Sequence, residues 1–130
     1  MQQQGFIPAD TPASAGQVST GMVSSAEVNG TNVYSPTGDH LGKIDHLMID
    51  KVSGNIAYAV MSFGGFLGMG TSEHPVPWRK LRYDTRLGGY VTDITRDQLE
   101  GAPAHDGRWS EDRDYARRSY EYYGVAPYWL

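Results

Sequence analysis

The residues of this 130-residue chain that could do chemistry are concentrated in a few short stretches, of which FGGFLGMG at positions 63–70 is the most unusual. Four glycines between apolar side chains could cradle a phosphate. However, a dinucleotide fingerprint requires Gly-x-Gly-x-x-Gly between a strand and a helix, and a P-loop requires Gly-Lys followed by Ser or Thr. The stretch has neither pattern. We therefore predict a wide turn between two strands, whose apolar side chains either fold over the end of the sheet or contact a partner.

The histidines give no metal-ligand motif. No two of the four, at positions 40, 46, 74 and 105, have the spacing of a ligand pair. Asp45 and His46 are adjacent, and a regular strand directs neighbouring side chains to opposite faces. We expect surface or hydrogen-bonded histidines and no metal site.

Two further groups resemble catalytic residues only superficially. Residues 72–74 read Ser-Glu-His, but a hydrolase triad is assembled from distant segments around an oxyanion hole, so their adjacency favours no triad. The nearest approach to a carboxylate pair is Asp93, Asp97 and Glu100. Asp97 lies in the first turn of a predicted short helix, where a carboxylate is favourable because of the helix dipole alone. We predict no enzyme activity, no catalytic residues and no cofactor.

Composition excludes several classes of function. The 15 acidic residues outnumber the 11 basic ones, giving a net charge of −4, so direct nucleic-acid binding is not expected. There are no cysteines, which excludes disulfides and thiolate chemistry. The N-terminus has no secretory signal pattern, and no apolar run approaches the roughly 20 residues of a membrane-spanning helix. These features predict a cytoplasmic protein whose membrane contact is at most peripheral.

The chain divides into three parts. Residues 1–27 are rich in Gln, Ser, Thr, Ala, Gly and Pro and predict a flexible N-terminal arm. Residues 28–104 alternate short apolar runs with turns, which predicts six antiparallel strands curled into a small β-barrel. Residues 105–130 predict a linker, a short helix and an aromatic tail. The predicted strand segments are residues 32–34, 41–50, 56–63, 76–78, 80–83 and 90–94.

Two strand segments have informative apolar patterns. In the second, the alternation slips by one residue near Asp45, and a β-bulge there would keep Ile44, Leu47 and Ile49 on one face. The third, residues 56–63, is apolar on both faces and needs cover on each side. Either the C-terminal helix or a second copy of the chain could provide this cover. The helix is predicted from an N-cap at Ser110 to Gly124, with an aromatic stripe along one side.

In order and spacing, residues 31–104 resemble a PRC-barrel domain. GDHLGKI at 38–44 resembles the start of the family pattern, and DHLMIDKVSGNIAYAV at 45–60 resembles its following strands and turn. FGGFLGMG and HPVPWRKL resemble the glycine loop and the Pro-Val-Pro-Trp strand of stand-alone bacterial members.

The resemblance implies a six-stranded β-barrel that serves as an interaction surface and not as a catalyst. The family is known from the cytoplasmic domain of the photosynthetic reaction-centre H subunit and from the C-terminal domain of a ribosome-maturation factor. This sequence matches neither the membrane helix of the first nor the N-terminal domain of the second. Neither specific function is therefore transferred to it.

The resulting prediction is a non-catalytic protein-interaction or adaptor module. A peripheral subunit of a membrane electron-transfer complex and a small-ligand carrier using the barrel mouth are the alternatives. A core of this size rarely supplies more than roughly 3–5 kcal/mol, which favours a homodimer in addition to an unidentified protein partner. The predicted partner or dimer contacts are Phe63, Phe66, Leu67, Met69, Trp78, Tyr120 and Tyr123.

Overall fold

The structure, a computed structural model, describes residues 21–62, 73–105 and 107–129. Six strands form one sheet, in the order β4-β3-β2-β1-β6-β5. The strands are β1 (Asn32–Tyr34), β2 (His40–Ile49), β3 (Ile56–Ser62), β4 (His74–Pro77), β5 (Arg82–Asp84) and β6 (Gly89–Val91). The helices are α1 (Ser25–Val28), α2 (Arg96–Glu100) and α3 (Arg113–Tyr123), with short 3-10 turns at Trp78–Lys80 and Trp109–Glu111.

The six predicted strands are present, but the prediction of a purely antiparallel, closed barrel is wrong in two respects. Strands β1 and β6 pair in parallel, because the long connection through β2 to β5 allows β6 to return beside β1 in the same direction. Strands β4 and β5 do not pair with each other. After Pro77 the chain makes the 3-10 turn Trp78–Lys80, which redirects it before β5 begins, so the sheet is mixed and open at this corner.

The pairing of β2 with β3 contains two irregularities. Ile44 lies opposite Met61 and His46 opposite Val60, so Asp45 is an extra residue in β2, and the predicted bulge is confirmed. Further along, Tyr58 pairs with Met48 and Ile56 pairs with Ile49, which leaves Ala57 as an extra residue in β3.

The second irregularity explains one wrong prediction. Ile44 is fully buried and Leu47 packs against the core, as expected, but Ile49 is 54% exposed. It lies beyond the bulge at Ala57, in the last pair of the two strands. A bulge bends and twists a strand, and this carries Ile49 away from the core.

Strand β3 is covered on both sides, as its sequence requires. One side contributes to the barrel cluster, which consists of Val28, Val33, Ile44, Ala59, Met61, Val76, Leu81, Tyr90, Ile94, Leu99 and Tyr123. The other side contributes to the helix cluster, which consists of Tyr58, Val60, Trp109, Tyr115 and Tyr120. The C-terminal segment therefore supplies in the same chain the cover that a second chain could also have provided.

Helix α3 begins later than the sequence pattern suggests. Its N-cap is Asp112, whose carboxylate accepts hydrogen bonds from the backbone N–H groups of Asp114 and Tyr115. The predicted N-cap, Ser110, lies instead in the 3-10 turn that buries Trp109. The end is as predicted, because Gly124 adopts a left-handed conformation with φ of 72°.

The tail after α3 folds back onto the sheet. The Tyr128 hydroxyl donates a 2.6 Å hydrogen bond to Oδ2 of Asp50, in the turn after β2. Burial, together with this carboxylate, raises the pKa of Tyr128 to about 12, and the same hydrogen bond lowers the pKa of Asp50. The Trp129 ring lies 5.0 Å from the ring of Tyr120, so the tail extends the helix cluster.

The two ends of the sheet domain are marked by short helices. Residues 25–27, within the predicted arm, form the turn of α1 capped by Ser24, while residues 1–20 lie outside the described part of the chain. At the other end, α2 has the predicted capping box between Thr95 and Gln98. Leu99 of α2 is buried in the barrel cluster, and Ala102 of the following segment packs against the same cluster.

Candidate functional site

The structure describes three of the seven contact residues predicted from the sequence. Phe63, Phe66, Leu67 and Met69 lie outside the described residues. Trp78 is half-buried beside Tyr90, with ring centroids 5.4 Å apart. Tyr120 and Tyr123 are buried within the chain itself, at 3% and 7% exposure. In this conformation those two tyrosines stabilise the fold and present little surface to a partner.

A cleft of about 830 Å³ lies at one end of the sheet. One wall is formed where β3 ends and β4 begins, at Ser62 and Glu73. The opposite wall is formed by the end of α2 and the following segment, residues 99–105. Apolar side chains contribute to its lining, among them Met61, Leu99 and Tyr123.

The rim of this cleft is acidic. Asp45, Glu73 and Glu100 line it, and all three residues are exposed. The remaining titratable lining residues are His74, His105 and the two buried tyrosines Tyr115 and Tyr123, and no Lys or Arg is among the described residues that line the cleft. Such a site attracts positively charged groups, because carboxylates around a partly apolar cavity concentrate a negative potential.

The structure brings three ligand-type side chains together at this rim. One ligand atom from each of Asp45, His46 and Glu73 lies within 4.8 Å of the other two. The alternation of a regular strand predicts Asp45 and His46 on opposite faces. That inference was wrong because the bulge at Asp45 breaks the alternation, and Nδ1 of His46 lies 2.8 Å from Oδ2 of Asp45.

His105 holds the backbone of Glu73, the third residue of this cluster. Its Nε2 donates a 2.9 Å hydrogen bond to the backbone carbonyl of Glu73, across 32 positions of sequence. The His105 ring also contacts the rings of Trp109 and Tyr115, with centroids 5.8 Å away in each case. The start of β4 is thereby tied to the helix cluster.

Burial also changes the titration of His74, the histidine at the start of β4. Burial lowers the pKa of its imidazole, and the nearby His105 lowers it further, while Glu100 acts in the opposite direction. Neutral imidazole is therefore favoured in the folded protein. A cavity with converging polar groups and a perturbed titratable residue is also what the small-ligand alternative requires.

The other groups considered from the sequence separate in space. Asp93 forms an ion pair with Lys80, at 2.9 Å, while Glu100 belongs to the cleft. Ser72 lies outside the described residues. The cleft residues missed by sequence reasoning come from segments far apart in the chain, and the predicted bulge at Asp45 was the one local signal that pointed to them.

The family comparison supports the fold and says nothing more specific. A model of the PRC-barrel domain matches residues 20–99. No match to a curated protein was found. Among the described residues, no helix has both the length and the apolar character needed to cross a membrane. Because the match spans the whole sheet and α2 up to Leu99, the chain belongs to the PRC-barrel domain family.

Proposed function

We propose that this chain is a non-catalytic interaction module whose acidic cleft receives a positively charged segment of a partner protein. The observation that carries the proposal is the cleft rim, where Asp45, Glu73 and Glu100 are exposed beside a partly apolar lining. Complementary charge at a rim raises the rate and specificity of association. The apolar lining would accept the aliphatic part of a lysine or arginine side chain.

Recognition suits this cleft better than catalysis does. Its carboxylates lie at the exposed rim, whereas electrostatic catalysis gains most from groups in a water-excluded site. Small-ligand binding stays a second candidate because of His74, whose perturbed imidazole faces the same cavity. The electron-transfer alternative stays a prediction from the family resemblance.

Binding of defined peptides tests the proposal. A fluorescein-labelled hexapeptide alternating Arg and Leu should bind the full chain in EDTA-containing buffer, and the same peptide with Glu for Arg should not. Glu100→Gln should weaken binding, and Glu73→Gln/Glu100→Gln should weaken it roughly tenfold, or about 1.4 kcal/mol. Glu27→Gln/Glu121→Gln changes the net charge equally, away from the cleft lining, and should bind like wild type. Equal affinity of the two peptides, or equal loss in both double variants, contradicts the proposal.

The homodimer is a separate part of the proposal. One reason to expect a dimer was that β3 is apolar on both faces and needs cover on each. This reason is weakened, because α3 covers one face of the strand within the chain. The argument from small core size is unaffected. We expect sedimentation velocity at micromolar concentration to give twice the 14.3 kDa mass of the chain, and Phe66→Ser/Leu67→Ser/Met69→Ser to shift the protein towards monomer. A compact monomer for the wild type would overturn the dimer.

A further inference from the structure

We propose that Asp45, His46 and Glu73 bind a divalent transition-metal cation at the rim of the cleft. The inference goes beyond the proposed peptide binding and does not depend on it. It begins from geometry, because one ligand atom of each residue lies within 4.8 Å of the others. A cation bonded at about 2.0–2.2 Å to each ligand holds any two ligand atoms within about 4.4 Å. Small side-chain rotations are therefore enough to close the site.

The bulge in β2 is what makes this arrangement possible. In a regular strand Asp45 and His46 would project to opposite faces of the sheet. Asp45 is the extra residue between the pairs Ile44–Met61 and His46–Val60, and the two side chains contact each other at 2.8 Å. Bulges commonly re-aim a side chain beside a functional site. Here the irregularity places a carboxylate and an imidazole side by side at the opening of the cleft.

The third ligand is positioned by a different part of the fold. Glu73 immediately precedes β4, whose first residue, His74, pairs with Met61 of β3. Its backbone carbonyl is held by His105, and His105 is packed against aromatic residues of the helix cluster. The backbone on both sides of the site is thus fixed, while the ligand side chains reach the surface. The site is consequently accessible to a cation from solution.

The donor set indicates the class of metal. One imidazole nitrogen with two carboxylates suits Zn²⁺, Co²⁺, Ni²⁺ and Mn²⁺, for which mixed nitrogen and oxygen ligands are common. Mg²⁺ and Ca²⁺ prefer oxygen ligands, which the imidazole does not supply. Three protein ligands beside an open cleft leave coordination positions for water or for a group of a bound partner.

Zn²⁺ titration of the full chain, without peptide, tests the site. Calorimetry should show one Zn²⁺ bound per chain, and millimolar Mg²⁺ should not displace it. His46→Ala and Glu73→Gln should each weaken binding by roughly tenfold or more. His40→Ala removes an exposed histidine that hydrogen-bonds Asn32, outside the cluster, and should bind like wild type. NMR of the imidazole nitrogens should show that Zn²⁺ shifts the His46 signals first.

Other results would overturn the site. Zn²⁺ binding retained by both His46→Ala and Glu73→Gln would exclude these residues as ligands. Loss of binding in His105→Ala without any shift of His46 signals would assign the cation to another histidine. Glu73→Gln is a conservative change at an exposed side chain, so it remains informative if His46→Ala disturbs the fold. The peptide assay contains EDTA, so it does not require a bound cation, and Glu100 is not one of the three proposed metal ligands. Failure of either proposal therefore does not contradict the other.

Discussion

The two sides of strand β3 pack against clusters of different chemistry. Ala59 and Met61 face the barrel cluster, whose members are mostly aliphatic and come largely from the strands. Tyr58 and Val60 face the helix cluster, whose other members are Trp109, Tyr115 and Tyr120. The first cluster fills the inside of the curved sheet. The second attaches an aromatic layer to its outside.

The difference shows how one chain covers a sheet that is apolar on both faces. Aliphatic side chains can be buried without hydrogen bonds, whereas each tyrosine brings a hydroxyl that needs a partner. Tyr120 donates a 2.6 Å hydrogen bond to the carbonyl of Ala57, the extra residue of the second bulge. The Tyr58 hydroxyl is buried and has no hydrogen-bond partner among the described residues, and burial raises its pKa. The outer layer is therefore the less completely satisfied of the two.

The largest expected effects are on the free energy of unfolding, and they test whether the two clusters unfold together. Tyr115→Ala should destabilise the protein by about 3–5 kcal/mol, and Ile44→Ala in the barrel cluster by about 2–5 kcal/mol, because each leaves a cavity at a fully buried site. Urea unfolding followed by circular dichroism and by amide exchange of the strands measures both. If Tyr115→Ala released α3 but left exchange of the strand amides unchanged, the helix cluster would be a separate unit and the comparison would fail.

A smaller effect is expected at the start of α3. Asp112→Ala removes the side chain that caps two backbone N–H groups and should cost about 1 kcal/mol. Ser110→Ala is the matched control and should change the free energy of unfolding by much less, because Ser110 lies in the preceding 3-10 turn. Chemical denaturation of both variants decides between the two caps. A larger loss of unfolding free energy for Ser110→Ala than for Asp112→Ala would mean that Ser110 is the N-cap, as the sequence predicted.

The smallest effects compare two hydroxyl groups within the helix cluster. Tyr120→Phe loses the hydrogen bond to Ala57 and should cost about 0.5–1.5 kcal/mol. Tyr58→Phe removes a buried hydroxyl without a partner in the described residues and should be neutral or slightly stabilising. The difference between the two unfolding midpoints is the measurement. Equal destabilisation would mean that the Tyr58 hydroxyl is satisfied, for example by a buried water molecule.

The sequence predicted those features of the fold that depend on neighbouring residues. The bulge at Asp45 followed from the spacing of three apolar side chains, and the capping box of α2 followed from Thr95 and Gln98. The parallel pairing of β1 with β6 could not be found in this way, because it joins segments nearly 60 residues apart. Nothing in three-residue strands specifies such a partner or its direction.

The candidate site was less predictable than the fold for the same reason. Asp45, Glu73, Glu100 and His105 converge only once the sheet and the segment after α2 are in place. Local spacing argued against a metal site, although the bulge inferred from the same residues already implied that Asp45 and His46 need not face apart. A strand with a bulge does not keep the alternation of a regular strand, so the bulge at Asp45 removes the argument that Asp45 and His46 face apart.

The prolines of the edge strand β4 constrain how this protein could assemble with copies of itself. Pro75 and Pro77 occupy alternate positions, and because a proline has no N–H, these are the positions that face away from the ladder with β3. The outer side of this strand therefore lacks the donors that another strand would need to extend the sheet. A sheet that continues from one molecule into the next across β4 is therefore disfavoured, and a contact between copies at this edge would have to use side chains.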